Sequence, residues 1–229
     1  MRKLILLSLL FCLTATFAQP KLKKAEKLFQ TYAYVDAAKM YEEYLATTEK
    51  PSTDAIKHAA DSYYFTDDDR NALKWYQKLY EIQGETMSEQ YFLRYIQTLK
   101  GVTDYAKADK LTKEYLDKKG DQKEIARFMN QKKVLDSLKT AQQLYTLKNL
   151  DVNSTKSDFG AAFYGDNKVV YASAKDTTKF NEKLYSWNKQ PFLDLYVAER
   201  NAVDGSLFAE KVFLQIGRAS CRERVYARV

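Results

Sequence analysis

The chain has almost no cysteine, histidine or proline. Of its 229 residues two are Cys, one is His and three are Pro. Cys12 and Cys221 stand near opposite ends, so no disulfide framework of the kind that staples small secreted domains can be drawn. His58 has no second His and no nearby Cys to complete a metal centre, and reads as a packing or surface residue. The chain also lacks the G-x-S-x-G elbow, the phosphate-binding glycine loop and H-E-x-x-H. Carboxylates are plentiful, yet none forms a recognisable pair for acid–base work. No enzyme, cofactor or metal is therefore expected.

Long apolar runs are scarce as well. The longest, Leu4 to Leu13, follows the basic Met1-Arg2-Lys3 and precedes Thr16-Phe17-Ala18. That order is a signal peptide over 1–18, cleaved before Gln19. The run is too short for a permanent membrane span, so no transmembrane helix is expected after cleavage. Phe11 precedes Cys12 where a lipobox needs a small residue, so a lipid anchor is not expected. At the other end, Gln215 to Val225 reads QIGRASCRERV. It resembles the translation of a common sequencing-adapter oligonucleotide, and residues 215–229 are read as a non-native tail. The natural product is expected to continue past Leu214. These two ends contribute +5 of the formal net charge of +7. The remaining +2 removes the electrostatic footprint that nucleic-acid binding needs.

What the chain does have is a repeat. YVDAAKMYEEYL, DRNALKWYQKLY and YAKADKLTKEYL align on Ala37, Ala72 and Ala108, at steps of 35 and 36 residues. A small residue, an aromatic or Thr four on, and a bulky residue three further mark the second helix of a tetratricopeptide hairpin. The small side chain lets the two helices approach, and the bulky positions fill the groove between hairpins. Ile56, Ala59, Ala60 and Tyr63, then Phe92, Tyr95, Ile96 and Leu99, give the matching stripe on the preceding helices. In the first repeat only Ala25 and Leu28 match. Residues 19–118 thus read as three helical hairpins. Asp67-Asp68-Asp69 falls at a helix start, where carboxylates cap.

Residues 119–150 are read as capping and connecting helices, helical from Asp121 to Leu147, because a solenoid's last apolar face needs a cover. From Asp151 the period changes. Phe159 to Tyr164, Lys168 to Ala174, Leu193 to Glu199 and Ser206 to Leu214 are β-rich, with turns at Gly165-Asp166-Asn167 and Asp204-Gly205. Such strands suit a propeller blade or a sandwich edge, and 151–214 is too short to close a ring. The fold class is α + β.

Helix-A positions between the packing residues should line a groove open to a protein partner. They are Glu26, Phe29, Lys57, Asp61, Tyr64, Leu93, Gln97 and Lys100. Mixed charge with a few aromatics suits recognition of a peptide or helix. The rival reading is a carbohydrate- or peptidoglycan-binding propeller, with Trp187 and nearby tyrosines stacking a sugar.

Taken in order, the leader ending FAQ, AYVDAAKMYEEY, DYAKADKL, SDFGAAFYGDNKVVYASA and NKQPFLDLYVAE resemble the OmpA-family proteins of Bacteroidota. The resemblance covers residues 1–214. It implies signal peptide, tetratricopeptide α-solenoid, WD40-like β-propeller and a C-terminal peptidoglycan-binding domain, with only the first propeller strands present here. It further implies a periplasmic protein tied to the outer membrane, with an envelope or outer-membrane protein as its partner. One subgroup is similar to the PorE component of type IX secretion. This chain departs from the pattern in lacking the domain that would bind peptidoglycan.

Overall fold

A computed structural model describes residues 20–142, 144–175 and 184–214. The signal peptide expected over 1–18 and the tail over 215–229 expected to be non-native lie outside the described residues. The chain divides between Gln142 and Gln143 into a helical unit and a sheet unit.

The helical unit runs α1 (residues 20–30), α2 (Tyr34–Thr47), α3 (Thr53–Tyr64), α4 (Asp69–Gln83), α5 (Glu89–Gly101), α6 (Tyr105–Lys119) and α7 (Gln122–Thr140). Its helix starts are written in side chains. Ser52, Asp68 and Asp104 each accept a hydrogen bond from the backbone N–H three residues on, at 3.2 Å. Asp121 accepts two, from Lys123 and Glu124. Each satisfies amides that the first helical turn leaves orphaned. Within the acidic run, Asp68 is the cap that composition suggests.

All three hairpins turn by the same device. The N–H of Ala33, Asp68 and Asp104 donates to the carbonyl of Leu28, Tyr63 and Leu99, at 2.9, 3.0 and 2.8 Å. The residue before each, Tyr32, Asp67 or Thr103, sits at φ 59°, 59° and 66°. This is the Schellman closure, which usually places glycine at the left-handed position. Here no glycine is used.

Packing follows the repeat. Ala37, Ala72 and Ala108 are fully buried at 0% exposure, and Tyr41 and Tyr76, four residues after the first two, are equally buried. Ile56, Ala59, Ala60, Phe92, Tyr95, Ile96 and Leu99 join them in one continuous core. Burying each large side chain contributes about 1.5–3 kcal/mol. Because the core relies on tyrosine, its hydroxyls need partners. Tyr41 meets Nδ1 of His58 at 3.2 Å, and Tyr76 donates to Asp61 at 2.6 Å.

α7 departs from the cap that the sequence predicts. Ile125 and Phe128 are half-buried and Lys132 pairs with Asp109 of α6, but no α7 residue is fully buried. The helix ends at Thr140, and residues 144–150 have no regular structure. Helical spacing continues to Leu147, but a helix end without a packing partner loses to chain entropy.

The sheet unit holds β1 (Asp158–Tyr164), β2 (Lys168–Ser173), β3 (Asp194–Arg200) and β4 (Leu207–Leu214), antiparallel in the order β1-β2-β3-β4. Gly165, at φ 65°, makes the first tight turn. Gly160, at φ 69°, stands where the β1–β2 register shifts between Phe159 and Ala162, a bulge that glycine permits. Tyr171 stands opposite Tyr196, their rings stacked 6.0 Å apart. Lys175 lies over both rings and donates to the carbonyl of Val152 and to the Tyr171 hydroxyl, at 2.7 and 2.9 Å. Glu210 of β4 completes its shell. The edge strands are bare by contrast: Phe159, Phe163, Phe208 and Phe213 are all exposed.

Candidate functional site

The first helices of the three hairpins, α1, α3 and α5, share one aromatic-rich face. On it Phe29 stacks on His58, ring centroids 4.3 Å apart, which joins α1 to α3. Between α3 and α5, Tyr64 donates through its hydroxyl to Gln97. The Lys57 ammonium lies 5.4 Å from the Tyr91 ring and 3.2 Å from Asp54.

Arg94 is the hub of this face. Its guanidinium lies 5.5 Å from the Tyr64 ring, 5.0 Å from Phe65 and 5.6 Å from Tyr91. A guanidinium among three rings is held by their quadrupoles as well as by its counter-ion. That counter-ion is Asp61, 2.6 Å from Nη1. Tyr76 and Tyr91 also donate to the Asp61 carboxylate, at 2.6 and 3.4 Å.

Asp61 is therefore no groove residue. The sequence places it facing solvent between packing positions, but it is only 4% exposed. Its two oxygens are taken by side chains from α4 and α5. An isolated carboxylate could not be buried there, and an ion pair with two hydroxyl donors makes burial tolerable. Tyr64 is also more than a groove residue, since its ring stands edge-on to Phe65 and Tyr76.

The remaining candidates stay on the surface. Glu26, Leu93, Gln97 and Lys100 are exposed, and Phe29 and Lys57 are half-buried. Sequence reasoning missed Arg94 and Tyr91, whereas the Tyr63-Tyr64-Phe65 run reads from its helical spacing as core plus one groove residue. The available signal was Arg94 itself, a charge two residues before the buried Ile96 on a helix whose stripe is otherwise aromatic and aliphatic.

The electrostatics of this face are set by burial and by the Asp61–Arg94 pair. Burial, reinforced by the Asp61 charge, pushes the Tyr91 hydroxyl up to about 12, and burial likewise raises Tyr34. For Arg94, burial pulls downward, but the hydrogen bond and charge of Asp61 outweigh it and the net shift is upward. At neutral pH the Arg94 charge is balanced by Asp61, the Tyr64 and Tyr91 hydroxyls are engaged with Gln97 and Asp61, and the face presents chiefly ring surface. Among the described residues no three His, Cys, Asp or Glu side chains are grouped to hold a metal ion.

In the sheet unit, the sugar-stacking reading meets a different set of residues. A surface pocket of about 470 Å³ is lined by Phe159, Tyr185, Asn188, Gln190 and Phe192, without Trp187.

No family model matches the chain, and no curated protein matches it. Among solved structures it is similar to the crystal structure of the yeast Tom70, at 18% identity and a TM-score of 0.42, over 62% of this chain. The match spans 32% of that chain. Among the described residues no helix is long and apolar enough to cross a membrane.

Proposed function

We propose that the helical unit is a non-enzymatic scaffold that holds a protein partner on the α1–α3–α5 face. The observation that supports it is the aromatic surface around Arg94, edged by exposed Leu93, Gln97 and Lys100. Aromatic and arginine side chains supply most of the energy at protein interfaces. Ring surface edged by an exposed Leu93 suits the apolar positions of an extended or helical segment. The leader sequence supports export, and the resemblance in residue order supports a periplasmic, outer-membrane-associated setting, with an envelope protein as partner. A role beside type IX secretion is the finest form of this reading. On it the four-stranded sheet is the opening blade of a WD40-like propeller, which the bare edge strands support.

The test is site-specific photocrosslinking in the native envelope. A photoreactive residue replacing Leu93 should give one defined adduct, and the same residue at Ile82 of α4, also exposed, should not. An adduct from position 82 alone would move the partner to the opposite helices. The rival glycan reading rests on the Phe159–Tyr185–Phe192 pocket. Binding of soluble peptidoglycan fragments, lost on Phe192→Ala, would favour it.

A further inference from the structure

We infer that the cavity between the ends of α4 and α6 binds a small, neutral aromatic molecule of about indole size. The repeat itself shows what such a space holds. Trp75 in α4 and Leu111 in α6 occupy the same repeat position, three residues after Ala72 and Ala108. Their surroundings correspond as well. Leu45, Ile56 and Leu79 stand where Tyr80, Phe92 and Tyr115 stand one repeat later. In the earlier set Leu45, Ile56, Trp75 and Leu79 are 7, 0, 6 and 0% exposed. In the later set Phe92 is buried, whereas Tyr80, Leu111 and Tyr115 are half-buried. An indole fills the first position, and a leucine leaves the second open.

The opening is a cavity of about 230 Å³, lined among others by Tyr80, Met87, Phe92, Leu111 and Tyr115. Apolar cavities of about 150 Å³ take up benzene, so this one has room for a second fused ring. Its walls are themselves rings. Phe92 stacks on Tyr115 with centroids 4.6 Å apart, and Tyr80 lies tilted 6.2 Å from Phe92. Such walls favour an aromatic guest through edge and offset contacts. All of them belong to α4, α5, α6 and the turn between α4 and α5, inside the helical unit. The cavity is thus a feature of the repeat packing.

Charge narrows the guest further. Among the lining residues Glu85 and Glu114 are offset by Lys118 and Lys119. The Lys119 ammonium already lies 5.1 Å from the Tyr115 ring, so a cationic guest would meet a cation in place. An anionic guest would compete with Glu85 for Lys118 and with Glu89 for Lys119. A neutral guest meets neither cost. Glu85, on the turn after α4, pairs with Lys118 of α6 and so joins the two walls. Both side chains are exposed, so the pair opens at little cost and can close again over a free molecule. A side chain tethered to a partner's backbone would hold it open.

The experiment uses the full chain and 5-fluoroindole, followed by fluorine NMR. The probe should bind saturably. Leu111→Trp should weaken binding roughly tenfold or more and raise the thermal midpoint, because the new indole takes the guest's place. Leu111→Phe, a smaller addition that packs more easily, should weaken it to a lesser degree. Leu93→Ser, on the α1–α3–α5 face, should leave it unchanged. No saturable binding, or undiminished binding by both Leu111 variants, overturns the proposal. A glycine-flanked tryptophan pentapeptide that displaces the probe and binds at least tenfold more tightly would assign the cavity to a partner's side chain instead.

Discussion

Arg94 reaches back one hairpin and sets Nη1 2.6 Å from Oδ1 of Asp61. The Asp61 side chain is 5% exposed and that of Arg94 17%, so the contact is a tie between hairpins rather than surface decoration. Removing one partner from a buried pair leaves a charge that the interior cannot solvate. Arg94→Met should therefore destabilise the helical unit by about 3–5 kcal/mol. The double variant Asp61→Asn with Arg94→Met should lose less than the sum of its single changes. Chemical denaturation of the four proteins checks this. Strict additivity would show that the two side chains do not interact.

Thr103 holds φ at 66°, a region where a β-branched residue is strained. Thr103→Gly should relieve that strain and raise stability by up to about 1 kcal/mol, the residual being the entropy of a freer unfolded chain. The same change at Thr112, inside α6 and bonded to the carbonyl of Ala108 at 2.8 Å, should cost about 0.3–0.5 kcal/mol in helix propensity. Thermal melts of the two variants should move in opposite directions. A fall at position 103 would mean that the threonine side chain holds the turn.

Asp158 carries the acid response of the sheet unit. Burial would raise its carboxyl, but hydrogen bonds from Ser173 and Ser154 and the charge of Lys175 hold it below the ordinary aspartate value. A depressed folded value means that the unfolded chain binds the proton first. The stabilisation is complete above the ordinary aspartate range, near pH 4, and drains away as pH falls through the folded value. Glu210 has the opposite sign. Burial and the Asp158 charge raise it, so its contribution declines as pH rises above the ordinary glutamate value. Asp158→Asn should therefore flatten the loss of stability below pH 4 and also shrink the Glu210 slope, because it removes the charge that helps burial to raise that carboxyl. Trp187 fluorescence in a Trp75→Phe background follows the sheet. An unchanged acid limb would remove Asp158 from the account.

Much of this architecture is legible in the residues because burial there is periodic. Ala37, Ala72 and Ala108 announce their helix crossings, and the Gly165 and Gly205 turns bracket strands whose composition is already β-rich. Asp61 was not legible. A carboxylate between packing positions reads as solvated, and the groups that reverse that reading, Tyr76 and Arg94, lie 15 and 33 residues away. The end of α7 was hidden for the opposite reason. Val134, Leu138, Ala141 and Tyr145 keep helical spacing, yet spacing states only what could be buried. The left-handed turns at Tyr32, Asp67 and Thr103 escaped because hydrogen bonding, not glycine, marks them.

Because successive helices touch mainly their neighbours, the helical unit should open piecemeal. Its slowest amides to exchange should be those of α3, α4 and α5, where Tyr76 and Arg94 converge on Asp61. α7, with no fully buried residue, should open first and most often. A partner held at Leu93 would thus grip the most persistent part of the chain.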